Sequence, residues 1–128
     1  MSKRLLLDTD VLIDYLRDRA EAVTYLEALT SPLLISSITV AELYAGVREG
    51  AERKKLEIFV SAFQVVALDA GMALAGGLFR RDYGKSHGTG LADALIAATA
   101  EREQAVLVTL NKKHFPMLSD IHVPYQKA

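Results

Sequence analysis

The chain has 128 residues, 51% of them apolar and 24% charged, which fits one globular domain able to bury about two thirds of its unfolded surface. It contains no cysteine, which excludes disulfide staples, thiolate zinc sites and cysteine nucleophiles, so any metal must be held by oxygen or imidazole. A formal net charge of −1 excludes a uniformly basic protein that coats nucleic acid, while leaving room for local basic patches beside an acidic cleft.

Lys3 and Arg4 precede only three leucines before Asp8, too few for a signal-peptide core, and no later apolar stretch has the length of a membrane span. The expected address is the cytoplasm. Arg4 to Asp8 reads as a buried strand because its interior is apolar without alternation. Val11, Leu12, Tyr15 and Leu16 then form a helical stripe, and Val23, Leu26 and Leu29 a second one within Ala20 to Leu29. Pro32 bars helix continuation, Leu33 to Ser36 reads as the next strand, and Thr39 to Glu42 spells a capping box that opens a third helix. Gly46 and Gly50 punctuate its end. Leu56, Phe59, Val60 and Phe63 make one face of a half-exposed helix from Ala51, and Gln64 to Leu68 reads as a third strand.

Asp69 is placed to cap a helix running to about Tyr83, with Leu74, Leu78 and Phe79 facing inward and Gly84 as its stop. A loop from Lys85 to Gly90 leads to an alanine-rich helix from Leu91, whose short side chains permit close approach to the sheet. Ala105 to Thr109 reads as a fourth strand, Lys112 to Met117 as a turn-like element bounded by Pro116, and the region of Val123 as a brief final strand. Strands alternating with helices predict a single α/β domain over 1–128, with a parallel sheet of four to five strands flanked by helices on both faces.

Asp8, Glu42, Asp93 and Asn111 each follow an apolar run or open a helix or loop, which places them at the carboxyl ends of parallel strands, where ligands gather. Each has an ordinary structural reading beside the functional one. Asp at a strand end caps helices, with Asp10 the better cap; the capping box alone explains Glu42; the helix dipole favours Asp93 in a first turn; Asn111 is a loop residue. Taken jointly, three crowded carboxylates repel unless a cation neutralises them, and oxygen ligands without sulfur favour Mg2+, with Mn2+ as a substitute. The matching chemistry is phosphodiester hydrolysis.

Leu6 to Ile13, Ser36 to Gly46, Leu91 to Ala100 and Val108 to Phe115 resemble the four signature blocks of PIN-domain ribonucleases, and most closely those of VapC-type toxins of toxin–antitoxin pairs. The resemblance spans essentially the whole chain in the family's order. It implies a metal-dependent endoribonuclease in which Asp8, Glu42 and Asp93 form the acidic centre, with Asp8 and Asp93 as direct metal ligands. Asn111 stands where many members have a fourth acid, which suits it to orient water or substrate, and His114 departs from a frequent aspartate. An RNA substrate, a cognate antitoxin and a homodimer are implied as partners. In that reading the antitoxin's apolar helix covers the region of Tyr15, Leu16 and Tyr44, and its arginine plugs the cleft.

Among the basic residues, Lys112, Lys113, Arg48 and Lys85 are the candidate RNA contacts, because a phosphate backbone brought near carboxylates needs compensating cations. Arg53, Lys54 and Lys55, mixed with glutamates, read as a solvated helix face, and His87 as an exposed loop residue. Two other functions fit less of the pattern. Asp8-Thr9-Asp10 after a strand is similar to the nucleophile motif of haloacid-dehalogenase-type phosphatases, which leaves Glu42 and Asp93 without a role. A catalytically weak binding module would use the acidic cleft to receive basic side chains.

Overall fold

Leu5, Leu6 and Leu7 show no polar alternation because the strand they form, β1 (Leu5–Leu7), lies mid-sheet with both faces covered. The computed structural model describes residues 3–126. After β1 come α1 (Thr9–Leu16), α2 (Ala20–Glu27), β2 (Leu33–Ser36), α3 (Ser37–Ala45), α4 (Ala51–Ser61) and β3 (Gln64–Val66). Then follow α5 (Ala70–His87), α6 (Leu91–Glu103), β4 (Val106–Val108), a 3-10 turn at Lys112–His114, and β5 (Ile121–His122). The sheet order is β3-β2-β1-β4-β5, and every neighbouring pair is parallel.

The chain starts in the middle of the sheet, winds outward to β3, then returns to add β4 and β5 on the other side. The winding therefore reverses between β1 and β4, the kind of point where an open parallel sheet offers a crevice at its carboxyl edge. Leu5, Leu6 and Leu7 align with Val106, Leu107 and Val108, so the two strands end level. The Asp8 amide continues the ladder by donating to the Val108 carbonyl at 2.9 Å.

Successive residues of each strand point to opposite faces, which divides the core in two. Leu6, Leu34 and Leu107 pack with Ile96, Ala97 and Ala100 of α6 and with Phe115 on one side. Leu7, Ile35 and Val108 pack with Val11 and Leu12 of α1, Leu26, Leu43 and Leu56 on the other. Truncating one of these fully buried leucines to alanine costs about 2–5 kcal/mol by cavity formation. The alanines of α6 let the helix lie close to the sheet, as its composition suggests. Outside it, α5 approaches so closely at Gly76 that a Cβ there would meet Leu95 Cδ2 at 2.5 Å and Leu95 Cα at 3.2 Å.

Several local expectations are corrected. The inward stripe of α5 is Met72, Gly76 and partly buried Phe79, so Leu74 and Leu78 turn outward and are 67% and 41% exposed. Gly84 does not stop the helix. Arg80 lies over it, and the helix runs on to His87, ending at Gly88 with φ +66°, a left-handed cap that glycine adopts without strain. Lys85 and His87 are consequently helical, and the loop shrinks to the three residues before Leu91. The final strand lies at Ile121–His122, just before Val123, and pairs with β4.

Candidate active site

Asp8 follows β1 immediately, where extended backbone gives way to α1, and its side chain becomes the helix N-cap. Its Oδ1 accepts from the Thr9 amide at 2.8 Å and its Oδ2 accepts from the Thr109 hydroxyl at 2.7 Å. Only 5% of the residue is exposed. Burial, then the charge of Asp10, pushes its pKa up to about 7; the Asp93 charge adds to the rise, and the two hydrogen bonds oppose it. Asp8, and not Asp10 as the sequence suggested, is therefore the cap.

Glu42 arrives from the middle of α3. The capping-box reading of Thr39 to Glu42 is overturned, because α3 begins at Ser37 with Ser36 as its N-cap, whose hydroxyl accepts from the Ile38 amide at 3.0 Å. Thr39 is instead buried in the helix, and Glu42 is solvent-facing. The Thr9 hydroxyl lies 2.6 Å from Glu42 Oε1 and 3.0 Å from the Thr39 hydroxyl. A hydroxyl has one proton, so Thr9 donates to the acceptor-only carboxylate and Thr39 supplies the proton between the two threonines. Glu42 is thus tethered to the residue beside Asp8.

Asp93 sits in the first turn of α6, where its Oδ2 accepts from the Gly90 amide at 3.2 Å. The His114 ring stands on its other side, Nδ1 3.4 Å from the same oxygen, while the His114 carbonyl accepts from the Thr89 hydroxyl at 2.7 Å. The α5–α6 junction is therefore joined to the 3-10 turn that follows β4. Asn111 is exposed just ahead of that turn and donates through Nδ2 to Asp10 at 3.1 Å, and its amide donates to the Thr109 hydroxyl at 3.1 Å.

Of the four residues singled out from the sequence, Asp8, Glu42 and Asn111 are linked through Thr9, Thr109 and Asp10, and Asp93 is joined to the turn after Asn111 by His114. They do not crowd around one point: among the described residues no three Asp, Glu or His side chains form a group that could by itself enclose an ion. Repulsion between unneutralised carboxylates opposes tighter packing. What remains is Asp8 within electrostatic reach of Asp93, and that donor set suits Mg2+ or Mn2+, which keeps several waters and takes one or two carboxylates directly. A buried acid whose ionisation is opposed by its neighbours is a group that a cation would stabilise. Thr9 and Thr109 are the residues missed from sequence as parts of the site; their signal was a hydroxyl directly beside an acid or at a strand end.

The family model described as PIN domain matches residues 5–118. The chain belongs to the PIN-domain family. This PIN domain is similar to Ribonuclease VapC10 of Mycobacterium tuberculosis, at 39% identity over 94% of this chain and 92% of that protein. It is also similar to Ribonuclease VapC19 of the same organism, at 40% identity over 94% of this chain and 98% of that one. A toxin–antitoxin complex from Klebsiella pneumoniae contains a chain that superposes with a TM-score of 0.83 at 29% identity, covering 96% of this chain and 99% of that one. The family assignment displaces the phosphatase alternative.

Lys112 and Lys113 lie exposed on the 3-10 turn directly after Asn111 in the PIN domain, and Arg48 is exposed beyond the end of α3. Lys85 is exposed in the last turn of α5. Arg53 is occupied by Glu49 at 3.0 Å and Glu57 at 3.5 Å, as its surface reading anticipates. Beside Glu42, a cavity of about 460 Å³ is walled by Ile13, Leu16, Leu43, Val47 and Leu56, with Arg17 and Lys55 also lining it. Tyr15 stacks on Phe59 with ring centroids 5.3 Å apart, so its ring is packed within the fold.

Proposed function

We propose that this PIN domain is a Mg2+- or Mn2+-dependent endoribonuclease, the toxin of a toxin–antitoxin pair acting in the cytoplasm. The observation that carries the reading is Asp8: a buried carboxyl at the sheet's crossover point, hydrogen bonded to Thr109 and within electrostatic reach of Asp93. Asp8 and Asp93 would hold the ion. When bound, it supplies Lewis acidity toward a phosphodiester and makes water a better nucleophile at neutral pH.

The chain's own groups do the rest. Glu42, steadied by Thr9, accepts a proton from or orients the attacking water, and Asn111 positions water or substrate at the rim. Lys112 and Lys113 meet the phosphate backbone beside the site, with Arg48 and Lys85 as outer contacts. The similarity to named ribonucleases supports RNA as the substrate.

The apolar cavity between α1, α3 and α4 fits an amphipathic segment of the antitoxin, and the Klebsiella relative is itself a toxin–antitoxin complex. With Glu42 and Glu52 in its wall beside Arg17 and Lys55, the same cavity offers ion-pair partners of both signs next to the apolar anchors. Leu74 and Leu78, one turn apart on α5 and exposed, are candidate contacts for the homodimer.

An RNA-cleavage assay with and without Mg2+ or Mn2+, run beside Asp8→Asn and Asp93→Asn proteins purified identically, tests the reading. Metal-dependent cutting by wild type alone is expected. Equal cutting by all three proteins would reveal a contaminating nuclease and remove the support for the proposal.

A further inference from the structure

Asp10 is placed by the sequence as a helix cap, yet its carboxylate gathers groups from the far end of the chain. Its Oδ1 accepts from the Val11 amide at 2.7 Å. Its Oδ2 accepts from the Leu110 amide at 3.0 Å and from Asn111 Nδ2 at 3.1 Å, and lies 3.4 Å from the Thr109 hydroxyl. The first turn of α1 thereby grips the segment leaving β4. That segment carries Thr109 to Asp8, and Asn111 to the rim of the site.

The chemistry at positions 10 and 111 is reciprocal. Ionised Asp10 only accepts, so the amide at 111 must turn Nδ2 toward it, which orients the planar group and leaves Oδ1 as its acceptor end. An acid at 111 would set two carboxylates against each other across a hydrogen-bond distance. An amide at 10 would have one accepting atom where two are used, one facing Val11 and the other facing Leu110 and Asn111. Neither residue can change its type alone without setting like against like.

We infer that Asp10 is a positioning residue of the nuclease site, acting as one unit with Asn111 to fix that amide and the Thr109 segment against Asp8. This rests on the proposed function for what the site does, whereas the pairing itself does not need it. An alternative arrangement with the two types exchanged would keep the same number of carboxylates and restore a donor–acceptor pair between positions 10 and 111, although the Leu110 amide would lose its acceptor. The exchange is therefore the informative variant.

The experiment is a cycle of wild type, Asp10→Asn, Asn111→Asp and the double exchange, each with single-turnover RNA cleavage at saturating and subsaturating RNA. Mn2+ binding by calorimetry and urea unfolding of the metal-free proteins complete it. Each single change is expected to lower kcat or Mn2+ affinity by about 10–100-fold, the range for residues that orient ligands from behind, with KM for RNA moving less. The double exchange is expected to recover the part of both losses that belongs to the contact between positions 10 and 111, and so to end better than the product of the two single losses. If Asn111→Asp does not fold, Asn111→Ala takes its place, and adding Asp10→Asn to it is then expected to cost less than the same change costs in wild type.

A double exchange no better than the product of the two single losses overturns the inference, as does an Asp10→Asn protein with unchanged kcat and Mn2+ affinity. Should wild type bind no Mn2+ and cut no RNA, the proposed function fails. The unfolding cycle then judges the pairing separately: non-additive stabilities uphold the contact, and additive ones sink it.

Discussion

The Thr109 hydroxyl donates to Asp8 Oδ2 at 2.7 Å, joining two residues 101 positions apart at the level ends of adjacent parallel strands. The same hydroxyl accepts from the Asn111 amide, so a single oxygen ties a buried acid to the rim of the site. Local strand endings create the site's chemistry only because β4 returns to lie beside β1.

Asp8 makes the stability of the metal-free protein pH-dependent. Its carboxyl keeps a proton up to about 7 in the folded state, chiefly through burial, against an ordinary value of 3.8. Between those values the folded state binds the extra proton, so this contribution to stability is present below the lower value and lost as pH rises through the upper one. Urea unfolding is expected to show wild type losing ground to Asp8→Asn between about pH 4 and about pH 8, with Asp8→Asn folded throughout. Thr109→Val removes a hydrogen bond that favours the ionised acid, and should move the loss to higher pH. A gap between wild type and Asp8→Asn that does not vary with pH would count against this account.

Thr9 is expected to act through Glu42. Replacing it by valine keeps the volume but removes the donor that holds Glu42 at 2.6 Å, leaving the buried Thr39 hydroxyl without that partner. We expect kcat to fall about tenfold or more with KM for RNA changed less, and Thr9→Ser to restore most of the rate. Equal kcat in the valine and serine proteins would remove Glu42 tethering from the mechanism.

Leu74 and Leu78 are expected to contribute to self-association. These large apolar side chains, 67% and 41% exposed and one turn apart on α5, form an apolar patch that a second copy would cover. Leu74→Lys combined with Leu78→Lys should convert a dimer to a monomer in sedimentation velocity, with an unchanged far-ultraviolet circular dichroism spectrum. A wild type that sediments as a monomer at high concentration, or a dimer indifferent to both lysines, removes this face as the interface.

Sequence alone determined the strand runs and the residues that end them. Three successive buried leucines, or Val106-Leu107-Val108, need both faces covered, and that demand is met by residues adjacent in the chain. Asp8 and Asn111 could be picked out as candidates because they follow those runs closely, whereas Glu42, inside α3, and Asp93, in the first turn of α6 after a helix, follow no strand directly. The tertiary structure alone decided which partners they keep: Asp10 turned from a cap into an anchor for Leu110 and Asn111, and Glu42 from a capping residue into a ligand of Thr9. It also decided that α5 buries Met72 and Gly76 and leaves Leu74 and Leu78 to solvent. Periodicity specifies that a face is apolar, but the order of strands and the packing of one helix on another specify what that face, or a carboxylate at its edge, will meet.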